Sequence, residues 1–154
     1  MRPRRYYLDT SVLGGFYDAE FEVPTRTLFE EFRLAVSIGV ISEVVLAELD
    51  RAPRRVRDLL RTEGPFSWEI VQETEESIEL AEQYLSSGVV GPRFFDDCRH
   101  VAIATIEKVE VMLSWNLRHI VHYDKIRLFN AVNLIQGYGT LEIRTPAEVI
   151  SYDE

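Results

Sequence analysis

Tyr6-Tyr7-Leu8-Asp9-Thr10-Ser11 is the stretch on which the fold turns. A short apolar run of this kind reads as a buried strand, and Asp9 ends it. The carboxylate then stands at the carboxyl end of a strand, the edge of an α/β sheet at which ligands bind. The same residue could cap the helix that follows, and spacing alone does not separate the two roles.

Working outward, residues 24–37 predict a helix. Leu28, Phe29, Phe32, Ala35 and Val36 recur at helical spacing, Pro24 sits at the start and Gly39 just past the end. Val40 and Ile41 form a second strand. Ser42 can cap a helix to about Arg51, Pro53 interrupts or restarts it, and a further helix to about Arg61 closes at Gly64-Pro65. Phe66 to Val71 alternates weakly, as a short extended piece would. Residues 74–87 predict an amphipathic helix with Ile78, Ala81 and Leu85 on one side, ended by Ser87-Gly88. After Gly91-Pro92, Asp96 or Asp97 can cap a helix to about Lys108. Glu110 to Trp115 is a third strand, Ile126 to Tyr138 a helix, and Leu141-Glu142-Ile143 a last strand. Strands alternating with helices predict an α/β fold, a three-layer α/β/α sandwich on a short, mostly parallel central sheet. Residues 1–154 are expected to form one domain.

Composition narrows the class. The chain has 154 residues, 46% of them hydrophobic, enough for a self-standing core. Cys98 is the only cysteine, so no disulfide scaffold exists. No apolar run approaches a membrane span. Met1-Arg2-Pro3-Arg4-Arg5 has the charge of a leader peptide, but only Tyr6-Tyr7-Leu8 follows before Asp9, so a cytoplasmic protein is expected. The formal charge of −9 argues against binding nucleic acid through an overall positive field. The positive charge is nevertheless clustered as arginine, at Arg51, Arg54, Arg55, Arg57 and Arg61 and again at Arg2, Arg4 and Arg5. Such clusters suit phosphate, or simply form a solvated face. The acidic stretch Glu73, Glu75, Glu76, Glu79 and Glu82 reads as an exposed helix face.

Four positions carry polarity where the predicted elements make it costly. Asp9 ends the first strand. Glu48 follows Val45 by three and Val44 by four, on or beside an apolar stripe where a carboxylate needs a partner or a cation; Arg51 is one available partner. Asp97 shares a helix face with Val101 and Ala104, and one cap does not need both Asp96 and Asp97. Asn116 follows the strand ending Leu113-Ser114-Trp115, where an amide can serve a turn, a cation or a water. Clustered carboxylates repel unless a divalent cation neutralises them, and oxygen-only ligands suit Mg²⁺ or Mn²⁺ rather than zinc. His100, His119 and His122 are not spaced as a zinc set; His100 reads as packed or capping, and Cys98 as a core residue.

These segments together resemble the PIN domain family. Tyr6-Tyr7-Leu8-Asp9-Thr10-Ser11-Val12-Leu13 is similar to its opening strand and turn, and Ile41-Ser42-Glu43-Val44-Val45-Leu46-Ala47-Glu48-Leu49 to its second strand and Glu-bearing helix. Asp97-Cys98-Arg99-His100-Val101-Ala102-Ile103-Ala104 is similar to the segment around its third acid, and Leu113-Ser114-Trp115-Asn116-Leu117-Arg118-His119-Ile120 occupies its last motif. The resemblance is ordered over residues 6–120. The tail, with Asn130, Asn133, Gly137 and Thr145-Pro146-Ala147-Glu148-Val149, resembles a bacterial subgroup.

The resemblance implies a Mg²⁺- or Mn²⁺-dependent ribonuclease of the VapC kind. Such a protein is the toxin of a type II toxin–antitoxin pair, with RNA as substrate, a small antitoxin as partner, a homodimeric state and no membrane. Asp9, Glu48 and Asp97 would be the metal-binding acids and, with Asn116, the catalytic set; Ser11 would hold Asp9 or a phosphate oxygen. Many family members carry an Asp in or just after the last motif, where this chain has Asn116 and His119. That departure keeps a second expectation in play, a catalytically weak PIN-fold module that binds a partner protein. A haloacid-dehalogenase-type phosphatase needs a second Asp two residues after the first, and position 11 is Ser. A receiver domain needs an acidic pair at its first strand, where only Asp9 is present.

Overall fold

A computed structural model of the chain describes residues 2–152. It contains five strands, β1 (Arg4–Leu8), β2 (Ser37–Ser42), β3 (Trp68–Val71), β4 (Val111–Leu113) and β5 (Ile143–Arg144). All pair in parallel, in the order β3-β2-β1-β4-β5. The helices are α1 (Thr10–Gly15), α2 (Glu22–Arg33), α3 (Glu43–Leu49), α4 (Arg54–Arg57), α5 (Leu59–Thr62), α6 (Glu75–Ser86), α7 (Phe95–Ile106) and α8 (Tyr123–Ile135). No described helix is long and apolar enough to cross a membrane.

The two-residue period of the strands divides the core. Tyr7, Val40, Met112 and Ile143 lie in register across the sheet and face α6, α7 and α8. Tyr6, Leu8, Ile41 and Leu113 point the other way, into a cluster with residues of α1, α2, α3 and α5. The inner strands β1, β2 and β4 are therefore largely buried on both sides and read as apolar runs, whereas β3 at the edge exposes Ile70 and alternates weakly. This is the expected three-layer sandwich, with a sheet that is wholly parallel.

Several local readings are corrected. Helix α2 ends at Arg33, and the chain turns through Ala35 at φ 58°. Ala35 and Val36 thus leave the predicted stripe, and Val36 is 61% exposed. Gly39 is no helix terminator. It sits inside β2, where a Cβ would come within 2.2 Å of the Trp68 ring and 3.3 Å of Phe32. Helix α6 buries Ser77, Leu80, Ala81 and Tyr84 rather than the Ile78, Ala81 and Leu85 side, because Tyr84 seeks Asn133 and Thr105 in the core. Thr74 caps it in a reciprocal box with Ser77. Asp96 and Asp97 lie within the first turn of α7 and neither caps it. Ser42 does cap α3, accepting from Val45 N.

The close approach at Gly39 is testable. Gly39→Ala is expected to cost about 1–3 kcal/mol, the usual penalty of overpacking a filled core. Urea unfolding at matched slope would measure it; an unchanged midpoint would show that Trp68 moves aside freely.

Candidate active site

The chain order 1-2-3 on one side of β1 and 4-5 on the other makes the β1/β4 boundary the switch point of the sheet. Crevices form there, beyond the carboxyl ends of the strands. Asp9 follows β1 at this boundary and Ser114 follows β4. Asp9 is 4% exposed, and its two oxygens are held separately: Ser11 Oγ donates to Oδ1 at 2.5 Å and Ser114 Oγ to Oδ2 at 2.6 Å. Asp9 does not use its side chain to cap α1. Burial raises its pKa, although His100 and the two hydroxyls favour the charged form.

Asp97 reaches the same place from the first turn of α7. Burial, then the charge of Asp9, pushes its pKa up to about 6; His100 and the Asn116 amide oppose the shift. Asn116 also builds the loop after β4. Its Oδ1 accepts from His119 N at 3.0 Å, and its own N–H donates to Ser114 Oγ at 2.9 Å. The turn role and the contact with Asp97 are therefore both present in one residue. His119, the other residue of the last motif, stands elsewhere: its ring stacks on Phe94 at 3.9 Å, and burial, with Arg118, Lys125 and Arg93 nearby, lowers its pKa.

Glu48 is partnered by His100, not by Arg51. His100 Nε2 lies 2.5 Å from Glu48 Oε1, and its Nδ1 lies 2.7 Å from the Tyr7 hydroxyl. Tyr7 OH is in turn 2.8 Å from Ser42 Oγ, which accepts from Val45 N. A buried polar chain thus runs from the N-terminus of α3, through β1, to α7 and back to α3. His100 is 3% exposed. Burial disfavours its charge, but the bond to Glu48 and the charges of Asp9, Glu48 and Asp97 outweigh that, and its pKa is raised. From the sequence His100 reads as packed or capping and Ser42 as a helix cap, while Tyr7 and Ser114 carry no predicted polar role. The available signal was polarity at buried positions: Tyr7 one residue from a strand end, and His100 one helical turn after Asp97.

The donor set suits a hard divalent cation in its chemistry. Asp9 and Asp97 are carboxylates with raised pKa values, and no Lys or Arg is among the leading causes of either shift. As the side chains stand, no three His, Cys, Asp or Glu groups among the described residues are close enough to hold an ion. Glu48 lies against His100 instead.

Fold and site together define the class, a PIN-like α/β domain with acids at its sheet edge. The fold is shared with the crystal structure of Mycobacterium tuberculosis VapC20, described as a sarcin-ricin loop cleaving toxin. The TM-score is 0.55 at 16% sequence identity, over 89% of this chain and 98% of that one. No family model matches the sequence, and no curated protein matches it.

Two outcomes are expected from this geometry. In the metal-free protein, Asp9, Asp97 and His100 bind protons more tightly folded than unfolded, so stability falls as pH rises. For Asp97 the window runs from 3.8 to about 6, and for His100 it opens above 6.5. Thermal melts in EDTA should decline across these ranges, and Asp97→Asn should flatten the acidic part. An unaltered slope in the variant would assign the titration to another group. Tyr7→Phe removes one hydroxyl from between Ser42 and His100 and should cost about 1–3 kcal/mol in chemical denaturation; a neutral result would mean that water replaces the bond.

Proposed function

We propose that this chain is a divalent-metal-dependent endoribonuclease of the VapC toxin kind, acting on structured RNA with Mg²⁺ or Mn²⁺. The observation that carries it is the pair of acids Asp9 and Asp97 at the switch point of the sheet, whose charged neighbours are His100 and other acids rather than arginine or lysine. The shared fold with VapC20 supports the same reading. A small antitoxin as inhibitor, a homodimer, a cytoplasmic setting and a single domain over residues 1–154 belong to this proposal.

Asp9, Asp97 and Glu48 would hold the ion. When bound, the ion would lower the pKa of a water and offset the negative charge of the phosphodiester. The protein's own contribution is positional. Two hydroxyls fix Asp9, so its oxygens cannot rotate away. Asp97 is ionised above about pH 6 and stays close to Asn116. Glu48 has Oε1 tied to His100 and Oε2 free of hydrogen bonds among the described residues, so Oε2 can accept a proton from an attacking water. Arg93 and Arg118, both exposed, supply donors for flanking phosphates.

A second reading, a PIN-fold binding module with weak catalysis, is favoured by one observation: the three acids are not gathered into a nest for an ion. The assay separates the two. A structured RNA should be cut with added Mn²⁺ and left intact in EDTA, and Asp97→Asn should slow cutting by about 100-fold or more while the fold persists. Cutting that survives EDTA excludes the metal scheme. No cutting in any divalent metal, together with tight binding of a neighbouring gene product, establishes the module.

A further inference from the structure

A cavity of about 510 Å³ opens beside the acids, between α1 and the segment joining α3 to α4. That volume is typical of sites for small organic groups. Its inner wall is one hydrogen bond from Asp9. Ser11 lines it and donates to Asp9, and Trp115 lines it and donates its backbone N–H to the same Ser11 Oγ at 2.9 Å.

The wall is aromatic and held in place. The Trp115 indole stacks on Phe21 with centroids 4.2 Å apart and planes 17° apart, and its Nε1 donates to Thr25 Oγ1 at 2.9 Å. Gly15 makes room for it, since a Cβ there would come within 2.7 Å of the indole. Tyr17 forms another part, with the Arg55 guanidinium 5.0 Å from its ring centroid. Thr10, also in the lining, carries a buried hydroxyl with no hydrogen-bond partner among the described residues. Arg51, Arg54 and Arg57 are exposed on the adjoining segment, with Arg54 paired to Asp58, and Asp18 is the one acid in the lining.

We infer that this cavity is a nucleobase subsite, which takes the base of a nucleotide next to the cleaved phosphate and leaves its phosphate on Arg55. Aromatic faces with a guanidinium at the rim are what single-stranded nucleic acid requires, because every base has a π-face and each phosphate a charge. An apolar peptide would use the rings but gain nothing from the arginines. The subsite rests on the ribonuclease reading for its role and on its own walls for base binding.

Gly14 gives access to a test, because a Cβ at this position meets nothing within 4 Å. Gly14→Met therefore narrows the cavity without disturbing the core, and α1 gains helix propensity. Trp115 fluorescence, read in a Trp68→Phe background, would follow titration with uridine 5′-monophosphate, with ribose 5-phosphate and with an amphipathic leucine-rich peptide. Saturable quenching by the nucleotide but not by the ribose phosphate is expected, weakened roughly tenfold or more by Gly14→Met at unchanged melting temperature. Equal binding of both phosphates, indifference to Gly14→Met, or quenching by the peptide alone would overturn the subsite. In a parallel cleavage assay, an RNA made abasic beside the cut should be cut more slowly than intact RNA by the wild type and at the same rate by Gly14→Met. Nucleotide binding without any cleavage would sink the ribonuclease reading and keep the subsite. Cleavage that ignores the missing base would sink the subsite alone.

Discussion

The structure depends on one costly placement, the Asp9 carboxylate at the end of the central strand with almost no access to water. An ionised carboxylate there must be compensated or it unfolds its own surroundings. The chain meets this with hydroxyls and an imidazole instead of arginine. Ser11 and Ser114 take one oxygen each, and His100 stands close enough to favour the charge. Hydroxyl donors soften the penalty without cancelling the charge, so the site retains negative potential for a cation. An arginine would have ended that capacity by making a closed ion pair.

The same logic extends to Glu48. Its tie to His100 runs on through Tyr7 to Ser42, so the helix cap of α3 and the orientation of the acid on that helix share one chain of bonds. A cap normally sets only where a helix begins. Here it is also coupled to where a carboxylate six residues later is held. Buried polar chains of this kind act as units, and altering one member disturbs the others.

The chain's net charge and its suggested substrate are reconciled locally. Four acidic residues, Glu75, Glu76, Glu79 and Glu82, lie on α6, and some of the arginine is already engaged. Arg5 is spent on Glu69 and Glu107, and Arg99 on Glu73 and Asp96. Exposed guanidinium groups stand near the cavity beside Asp9, where Arg54 pairs with Asp58 and Arg55 with the Tyr17 carbonyl, and near the loop after β4. Overall charge is thus a poor guide to which surface faces an anion.

The sequence alone determined the order of strands and helices and the sandwich class, because both follow from local spacing of apolar residues and from a few caps. It also marked Asp9, Glu48, Asp97 and Asn116 as polar groups in costly positions. It did not reveal how these groups are satisfied. Gly39 looked like a terminator because glycine ends helices; only the Trp68 ring across the strand pair explains it. His100 read as packed or capping, and Arg51 was the partner within reach of Glu48, because a sequence shows neighbours three and four residues apart but not those 52 apart. Partnership among buried polar groups is decided by which strands lie side by side, and that is a property of tertiary structure.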